Sequence, residues 1–263
     1  MPRVLAKGDN LNELNENYVQ RPLLEPVFLN SVPKSGTHLM RNIIRMFVPV
    51  EQQYHYAFIQ YPILHQHKVS AFAQNNPMLS WGHLLFSDDS AIALRNVNHI
   101  ILVRDPYDWV LARARFFLSD TFDASLDHLK GGAVSVEEAL NLMIFGIHKK
   151  APSMQDIFLH NAVAWLGTQV KVVRFEDLIR NLKNLDSTET ESYFAQLLRD
   201  CAILELPEDW RERVLVGSDR KQSGTARENL EGLTMDFPDE LPETQKTLVD
   251  AAIPGYREAL GYK

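Results

Sequence analysis

Residues 28–44, FLNSVPKSGTHLMRNII, decide the fold of this chain. The stretch begins with apolar, β-favouring residues and turns polar at Pro33, where a strand should end. Beyond it, Leu39, Ile43 and Ile44 recur at the spacing of one helix face. The segment therefore predicts a strand, a tight loop and a helix, in that order.

Two later segments repeat this order. HIILV at 99–103 leads into RDPYDWVLARARFF, whose Pro106 suits the first turn of a helix, and VKVVRF at 170–175 leads into EDLIRNL. Successive strand–helix units are typical of a parallel sheet, and strands as apolar as these are usually covered on both faces. We predict a single α/β domain with a central parallel β-sheet flanked by helices.

The rest of the chain divides by composition. Residues 1–24 form a polar leader, predicted to be loosely attached or to pack late, and residues 25–263 form the domain. Segments 51–82 and 119–134 look irregular and are candidates for loops that cover a substrate. The last helix should kink or break at Pro254.

Charge and composition exclude several classes of protein. The net charge of −7 argues against a broad nucleic-acid surface, and the longest apolar runs are too short to cross a bilayer. The N-terminus has no apolar signal core. The single cysteine, Cys201, has no partner within the chain, and its apolar setting predicts a buried, inert thiol. We expect a cytoplasmic protein that binds neither nucleic acid nor membrane.

The loop at residues 33–38 has the chemistry of an anion site. The first N–H groups of a helix lack partners, and the helix dipole favours negative charge there. Gly36 lets the backbone approach a ligand closely, and Lys34 adds a full charge. The lysine precedes the glycine, so the loop is not the G-x-x-x-x-G-K-[ST] loop of the nucleotide triphosphatases. The alternative is an ordinary capped helix with an exposed lysine.

Two motifs together resemble those of the PAPS-dependent sulfotransferases. FLNSVPKSGTHLMRNII is similar to the family's 5′-phosphosulfate loop, and ILVRDPYDWVLARARFF is similar to its 3′-phosphate segment, a strand followed by R-[ND]-P-x-D. Lys34 and Arg104 lie 70 residues apart, in the family's order. VVRFEDLIRN and RKQSGTAR (residues 220–227) are weaker matches to later family segments. The resemblance covers residues 26–262 and implies a P-loop NTPase-like sulfotransferase fold.

The resemblance also implies roles for individual residues. The donor would be 3′-phosphoadenosine 5′-phosphosulfate (PAPS), the product 3′-phosphoadenosine 5′-phosphate (PAP), and no metal would be required. Lys34 would contact the 5′-phosphate and the bridging oxygen, Arg104 the 3′-phosphate and Phe175 the adenine. The other implied nucleotide ligands are Ser35, Gly36, Thr37, His38, Arg220, Lys221, Gly224 and Arg227.

The sequence departs from the family pattern at three positions. The family's second 3′-phosphate ligand is a serine eight residues after the arginine, and Ala112 stands there. Either Arg113 or Arg220 compensates, or the contact with the 3′-phosphate is weaker. Gln222 and Ala226 replace the first glycine and the tryptophan of the late loop, which leaves the register of that loop open.

His83, in SWGHL, is the candidate catalytic base. An imidazole has a pKa of about 6.5, which suits proton abstraction near neutral pH. The resemblance places the family's catalytic histidine between the two phosphate motifs, where His83 lies, although the proline of the family's segment is missing. His65 and His67 are the alternatives; their i, i+2 spacing would also suit a metal pair, but no third ligand is evident.

These observations predict in-line transfer of a sulfuryl group from PAPS to a hydroxyl or amine of a small-molecule or sugar-like acceptor. His83 would take the proton and Lys34 would stabilise the leaving phosphate. Two alternatives stay open: a nucleotide-dependent small-molecule kinase, with Asp105 as its Mg²⁺ ligand, and a non-catalytic nucleotide-binding protein. The acceptor's identity and the formation of a homodimer also stay open.

Overall fold

The computed structural model describes residues 3–5 and 8–263. The strands are β1 (Arg3–Val4), β2 (Val27–Ser31), β3 (Ile59–Gln60), β4 (Leu79–His83), β5 (Asn98–Val103), β6 (Phe122–Asp123) and β7 (Lys171–Arg174). The α-helices are α1 (Leu11–Asn15), α2 (Thr37–Arg45), α3 (Leu64–Ala71), α4 (Asp88–Ala93), α5 (Pro106–Phe117), α6 (Val136–Phe145), α7 (Met154–Asn161), α8 (Phe175–Leu182), α9 (Thr188–Asp200), α10 (Trp210–Ser218), α11 (Glu243–Ala252) and α12 (Tyr256–Ala259). Among these helices, none is long and apolar enough to span a membrane.

A five-stranded parallel sheet lies at the centre, in the order β3-β4-β2-β5-β7. All five residues of β2 are buried, and this strand pairs with β4 on one side and β5 on the other. The strand order therefore reverses at β2. In open α/β sheets, ligands bind outside the carboxyl ends of the strands at such a reversal.

Helices cover both faces of the sheet, as predicted. Along β2, successive side chains point to opposite faces: Phe28 joins a core that contains Trp109, whereas Leu29 joins a core that contains Ile43 and Phe194. The predicted strand–helix units are confirmed as β2–α2, β5–α5 and β7–α8. The final helical segment breaks after α11, as Pro254 predicted.

The prediction that residues 51–82 are irregular was wrong, because α3, β3 and most of β4 lie within this range. β4 is short and contains Gly82, which lowers its apparent strand propensity. The glycine is required there, since a Cβ at this position would lie 1.9 Å from the carbonyl oxygen of Ile59. The contact with Ile59 therefore requires a glycine, and this glycine makes the strand difficult to predict from sequence. Segment 119–134 contains β6, which pairs with β1.

Helix α1, within the predicted leader, packs against α2. Leu11, in α1, is 1% exposed. Asp9 accepts a hydrogen bond from Arg45 Nη1 at 3.0 Å, and Asn15 Nδ2 donates to the Val48 carbonyl at 3.1 Å. Residues 1, 2, 6 and 7 of the leader lie outside the described residues. Asp9 and Asn15 therefore connect this segment to α2 and to the turn after it, and the predicted boundary at residue 24 stays a prediction.

Cys201 follows α9 and is fully buried, as predicted. Its burial raises the pKa of the thiol. The protonated thiol is the poor nucleophile expected of a buried cysteine.

Gly217 sets the distance between α10 and α2, and we expect Gly217→Val to destabilise the fold. A Cβ there would lie 2.6 Å from both the Asn42 carbonyl oxygen and Ile43 Cα, which are backbone atoms that cannot move aside. Overpacking of this kind costs roughly 1–3 kcal/mol. Urea denaturation should show this loss. Leu215→Ala, at a 56% exposed position of the same helix, should change stability little; equal losses in both variants would contradict this account.

Candidate active site

The loop that joins β2 to α2 forms an open cradle of N–H and O–H groups. Its backbone is left-handed at Lys34 (φ 68°) and at Gly36 (φ 97°). The indole of Trp109 donates a hydrogen bond to the Pro33 carbonyl and holds the loop in place. Gly36 is the N-cap of α2 and supplies no side-chain cap. The Ser35 hydroxyl is buried without a hydrogen-bond partner. Unsatisfied donors of this kind fit an anion.

Lys34 is a half-buried residue at the wall of the site. Its Nζ lies 3.5 Å from the centroid of the Phe116 ring, and no salt bridge joins it to a carboxylate within the described residues. Burial, together with the positive charge of Arg104, lowers the pKa of Lys34 to about 7. A bound anion would reverse this shift, because it favours the charged form.

Arg104 follows β5 and forms a second cationic site next to the first. Its guanidinium lies over the Phe175 ring, 4.6 Å from the ring centroid, and its Nε is buried without a hydrogen-bond partner. Burial lowers the pKa of Arg104, and Asp108 and Glu176 partly oppose this effect. Phe175 also packs on Gly36, where a Cβ would lie 2.5 Å from the ring. The phenylalanine therefore contacts both strand ends.

Asp105, the aspartate on which the kinase alternative depends, is already engaged. Its carboxylate accepts a hydrogen bond from the Tyr107 N–H at 3.0 Å, as the N-cap of α5. It also pairs with Arg257 Nη2 at 3.0 Å. The aspartate thus stabilises the start of α5 and binds the C-terminal segment, which weakens the case for it as a magnesium ligand.

Of the two residues proposed to compensate for Ala112, Arg113 is engaged elsewhere in the core, whereas Arg220 is held only by an exposed ion pair. Arg113 donates to the carbonyls of Met143 and Pro152, both at 2.8 Å, and Arg220 pairs with Glu228. Arg113 points away from the direction of Ala112, because successive residues of an α-helix are turned about 100° around the helix axis.

Arg115 is a further basic residue near Arg104, and its Nη2 donates to the Pro238 carbonyl and lies 3.9 Å from Asp239 Oδ1. It lies three residues after Ala112, on the same face of α5, and is 8% exposed. Its charge interacts with those of Arg104 and Arg227, and burial lowers its pKa. The i, i+3 spacing from Ala112 was the signal that could have identified it.

The late loop carries its basic residues on the surface. Arg220 pairs with Glu228 at 2.8 Å, and Arg227 pairs with Asp239 at 3.1 Å. The loop is anchored to α2, where Asn42 Nδ2 donates to the Gln222 carbonyl at 3.1 Å. Two further residues of the predicted set lie in this loop: Lys221, in a short 3₁₀ turn, and Gly224, in the turn after it.

His83, at the carboxyl end of β4, is held in a defined tautomer. Its Nδ1 lies 2.9 Å from the Ser31 carbonyl oxygen, which can only accept, so Nδ1 carries the hydrogen. Nε2 is left with a lone pair. Burial, opposed by the bond to Ser31 and reinforced by Lys34, lowers the pKa of His83 to about 4. His83 is therefore neutral near pH 7, and its pKa makes it a weaker base than the free imidazole on which the sequence prediction relied.

A cavity of about 420 Å³ brings His83 and Lys34 together. Trp109 and Phe117, from α5, also line it. Of the two segments expected to cover a substrate, 51–82 lines the cavity with Gln60, Tyr61 and Pro62. Segment 119–134 contributes no lining residue, and residues of α7 line the cavity instead.

The other histidines have different surroundings. His38, in the first turn of α2, has its pKa lowered to about 3 by burial and by the neighbouring charges of Arg41 and Lys34. His67 shares a hydrogen bond with Tyr54 at 2.8 Å, and His65 faces Asp89 at 3.2 Å. The two alternative bases therefore have separate partners, and neither lines the cavity that contains His83.

No protein-family model matches the sequence, and no curated protein matches it either. The fold, however, is that of the sulfotransferases: solved structures match it over almost the whole chain. The structure of mouse sulfotransferase SULT7A1 complexed with PAP has a TM-score of 0.55 and 14% sequence identity, over 98% of this chain and 92% of that chain.

Two structures of retinol dehydratase are also similar. The complex with androsterone and the inactive cofactor PAP has a TM-score of 0.53 and 13% identity, over 90% of this chain and 82% of that chain. The complex with retinol and PAP has a TM-score of 0.51 and 12% identity, over 92% and 84%. The predicted sulfotransferase fold is thus confirmed.

We expect Lys34→Met to stabilise the free protein. The folded pKa of Lys34, about 7, lies below its ordinary value of 10.5, so the charged lysine destabilises the folded state. This penalty is complete below pH 7 and disappears as the pH rises towards 10.5. Methionine should add roughly 1–3 kcal/mol at pH 6 and less at pH 9.

Thermal unfolding at the two pH values measures this difference. Lys183→Met, at an exposed position after α8, is the control and should change the melting temperature little at either pH. A lower melting temperature for Lys34→Met at pH 6 would show that the ammonium is stabilising where it lies.

Proposed function

We propose that this protein is a sulfotransferase that uses PAPS as donor. The observation that carries the proposal is the pair of cations, Lys34 and Arg104, at the ends of the adjacent strands β2 and β5. Both lie beside buried N–H or O–H groups without partners, the Ser35 hydroxyl and the Arg104 Nε. Two anionic groups on one ligand would satisfy both positions, and PAP has two phosphates. The structures that share the fold were solved with PAP.

The nucleotide would lie across the carboxyl end of the sheet. The 5′-phosphate would occupy the cradle of Lys34 and the first turn of α2, where Ser35, Thr37 and His38 add donors. The 3′-phosphate would meet Arg104 and, in place of the missing serine, Arg115. Phe175 contacts both junctions and offers a ring face to the adenine. The late loop would close over the nucleotide once the phosphates displace the carboxylates from the two exposed ion pairs. The loop residues involved would be Arg220, Lys221, Gly224 and Arg227.

His83 would act as the base. The acceptor's O–H or N–H loses its proton to His83 Nε2 as its oxygen or nitrogen bonds to sulfur, and the bond from sulfur to the 5′-phosphate oxygen breaks. Lys34 stabilises the charge that develops on that phosphate oxygen. The Ser31 carbonyl holds the imidazole in the required tautomer and stabilises its protonated form. No residue has to move to change the tautomer.

We expect PAP to bind the wild-type protein and to bind Lys34→Met and Arg104→Gln at least tenfold more weakly. Each substitution removes a charge-assisted hydrogen bond to phosphate, an effect of about 1.5–3 kcal/mol. Isothermal calorimetry would measure both losses. Arg199→Gln, at an exposed position of α9, is the matched control and should bind PAP like the wild type.

The pH dependence of PAP binding tests Lys34 directly. Its pKa in the free protein is about 7, and bound phosphate must raise it, so affinity should be highest below pH 7 and should fall as the pH rises above it. At pH 8 the protein should take up a proton on binding, which calorimetry in two buffers detects. Lys34→Met should abolish the uptake. Binding without uptake in the wild type would argue against a buried lysine at the phosphate.

His83→Asn should lower kcat by about 10²–10⁴ while PAP affinity stays within threefold of the wild type, because a base acts only in the chemical step. Turnover would be measured with radiolabelled PAPS and the acceptors found by screening. Since the pKa of His83 is about 4, its protonation should not reduce wild-type activity until the pH approaches 4.

His65→Asn, which alters an exposed histidine outside the cavity, is the control and should retain activity. Wild-type protein that binds PAP but transfers sulfate to no acceptor in the screen would instead support the non-catalytic alternative. Full activity in His83→Asn would rule out the histidine as base.

A further inference from the structure

An amide side chain lies within β2, a strand whose five residues are all buried. Asn30 is 0% exposed, and its side chain shares a face of the strand with those of Phe28 and Val32. Strands that are buried on both faces are normally apolar throughout, and a buried amide is costly unless its hydrogen bonds are formed. An apolar residue would be expected at this position, so the amide requires an explanation.

The Asn30 amide has a partner for each of its four hydrogen-bonding positions. Its Oδ1 accepts from the backbone N–H groups of Ser31 and Leu84, both at 2.9 Å. Its Nδ2 donates to the Leu84 carbonyl at 3.0 Å and lies 3.2 Å from His99 Nε2, which must accept because an amide nitrogen only donates. The N–H of Leu84 can only donate and its carbonyl can only accept, so these contacts fix the orientation of the amide.

The bonds to Leu84 extend the connection between β2 and β4 beyond the backbone pairing of the two strands. The last backbone pair between them is Asn30 with Gly82. On the other edge of β4, the pairing with β3 reaches His83. The Asn30 side chain then binds both backbone groups of Leu84, as a neighbouring strand would. The main chain is therefore held directly after His83.

Contacts from the opposite face of the sheet hold the imidazole itself. Ser31 follows Asn30 in β2, so its side chain points to the other face, and its hydroxyl lies 3.1 Å from His83 Nδ1. The Phe58 ring meets the imidazole edge to face, with the ring centroids 4.7 Å apart. The ring keeps this orientation only while the main chain that carries it stays in place.

We propose that Asn30 is a positioning residue for the reaction: by holding the backbone of Leu84, it fixes His83 Nε2 relative to an acceptor in the cavity. Asn30 is not one of the residues that line the cavity, so it would act through His83. This inference rests on the proposed function, since it takes His83 as the base. Rates depend steeply on such placement, and a displacement of about 1 Å can cost roughly 10²-fold.

The first test observes the imidazole and needs neither donor nor acceptor. The ¹⁵N NMR shifts of a histidine ring distinguish its two neutral tautomers, and the His83 signals are identified by their loss in His83→Asn. The wild type should show hydrogen on Nδ1, as the bond to the Ser31 carbonyl requires. Asn30→Ala removes the bonds to Leu84 and should give a mixture of tautomers. Asn30→Ser, whose hydroxyl is too short to reach Leu84, is the second variant and should behave in the same way.

Ser80→Ala is the matched control. Ser80 is also fully buried, and its hydroxyl donates to the Val27 carbonyl at 3.2 Å, which links β4 to β2 at the end away from His83. This variant should lower the melting temperature and leave the His83 signals unchanged. Equal changes of the His83 signals in Ser80→Ala and in the Asn30 variants would show a general loosening of β4 and would contradict the proposal.

The second test measures turnover with PAPS and an acceptor found by screening. Asn30→Ala and Asn30→Ser should lower kcat about 10–100-fold, whereas PAP affinity should stay within threefold of the wild type. Ser80→Ala should retain the wild-type kcat. Adding Asn30→Ala to His83→Asn should lower kcat little further, because Asn30 acts through His83.

An unchanged tautomer in both Asn30 variants would overturn the proposal, as would independent losses of kcat in the double variant. If neither Asn30 variant folds, the amide serves the fold as a whole and the proposal is wrong. Failure of the proposed function is a different result: if the wild type neither binds PAP nor transfers sulfate, the NMR comparison still decides whether Asn30 positions His83.

Discussion

Two cations, Lys34 and Arg104, follow the adjacent strands β2 and β5, and their burial, to which the repulsion of Lys34 by Arg104 adds, is the constraint on which the site depends. The repulsion adds to the burial that lowers the pKa of Lys34 to about 7. Backbone pairing between the strands, with Ser31 opposite Leu102, keeps the two strand ends adjacent. The folded protein thus contains an electrostatic cost that an anion bound between the strand ends would relieve.

The end of β2 couples the anion cradle to the base. The Ser31 hydroxyl shares a hydrogen bond with Thr37 Oγ1 at 2.7 Å, and the Ser31 carbonyl accepts from His83 Nδ1 at 2.9 Å. One residue therefore positions both the start of α2 and the imidazole. Such support from a rigid strand is what precise placement of reacting groups requires. The loop of Lys34 receives similar support, because Trp109 holds the Pro33 carbonyl.

Local patterns predicted the parts of the fold that depend on local interactions. The strand–loop–helix units around Lys34, Arg104 and Phe175 follow from apolar runs, loop residues and helical spacing, and the structure confirms these elements. The same patterns missed β4, because Gly82 is set by the close approach of Ile59 and not by strand propensity. They also led to Arg113 and Arg220 as substitutes for the missing serine and left out Arg115, although the i, i+3 spacing from Ala112 places Arg115 on the same face of the helix.

The sequence by itself determined the class of fold, the order of its strand–helix units and the identities of the basic residues at their junctions, because each depends on neighbours within a few residues. Only the tertiary structure decided that α1 packs against α2 and that His83 is held as a neutral tautomer by Ser31. Each of these depends on groups far apart in the chain, and the sequence does not state which distant groups meet.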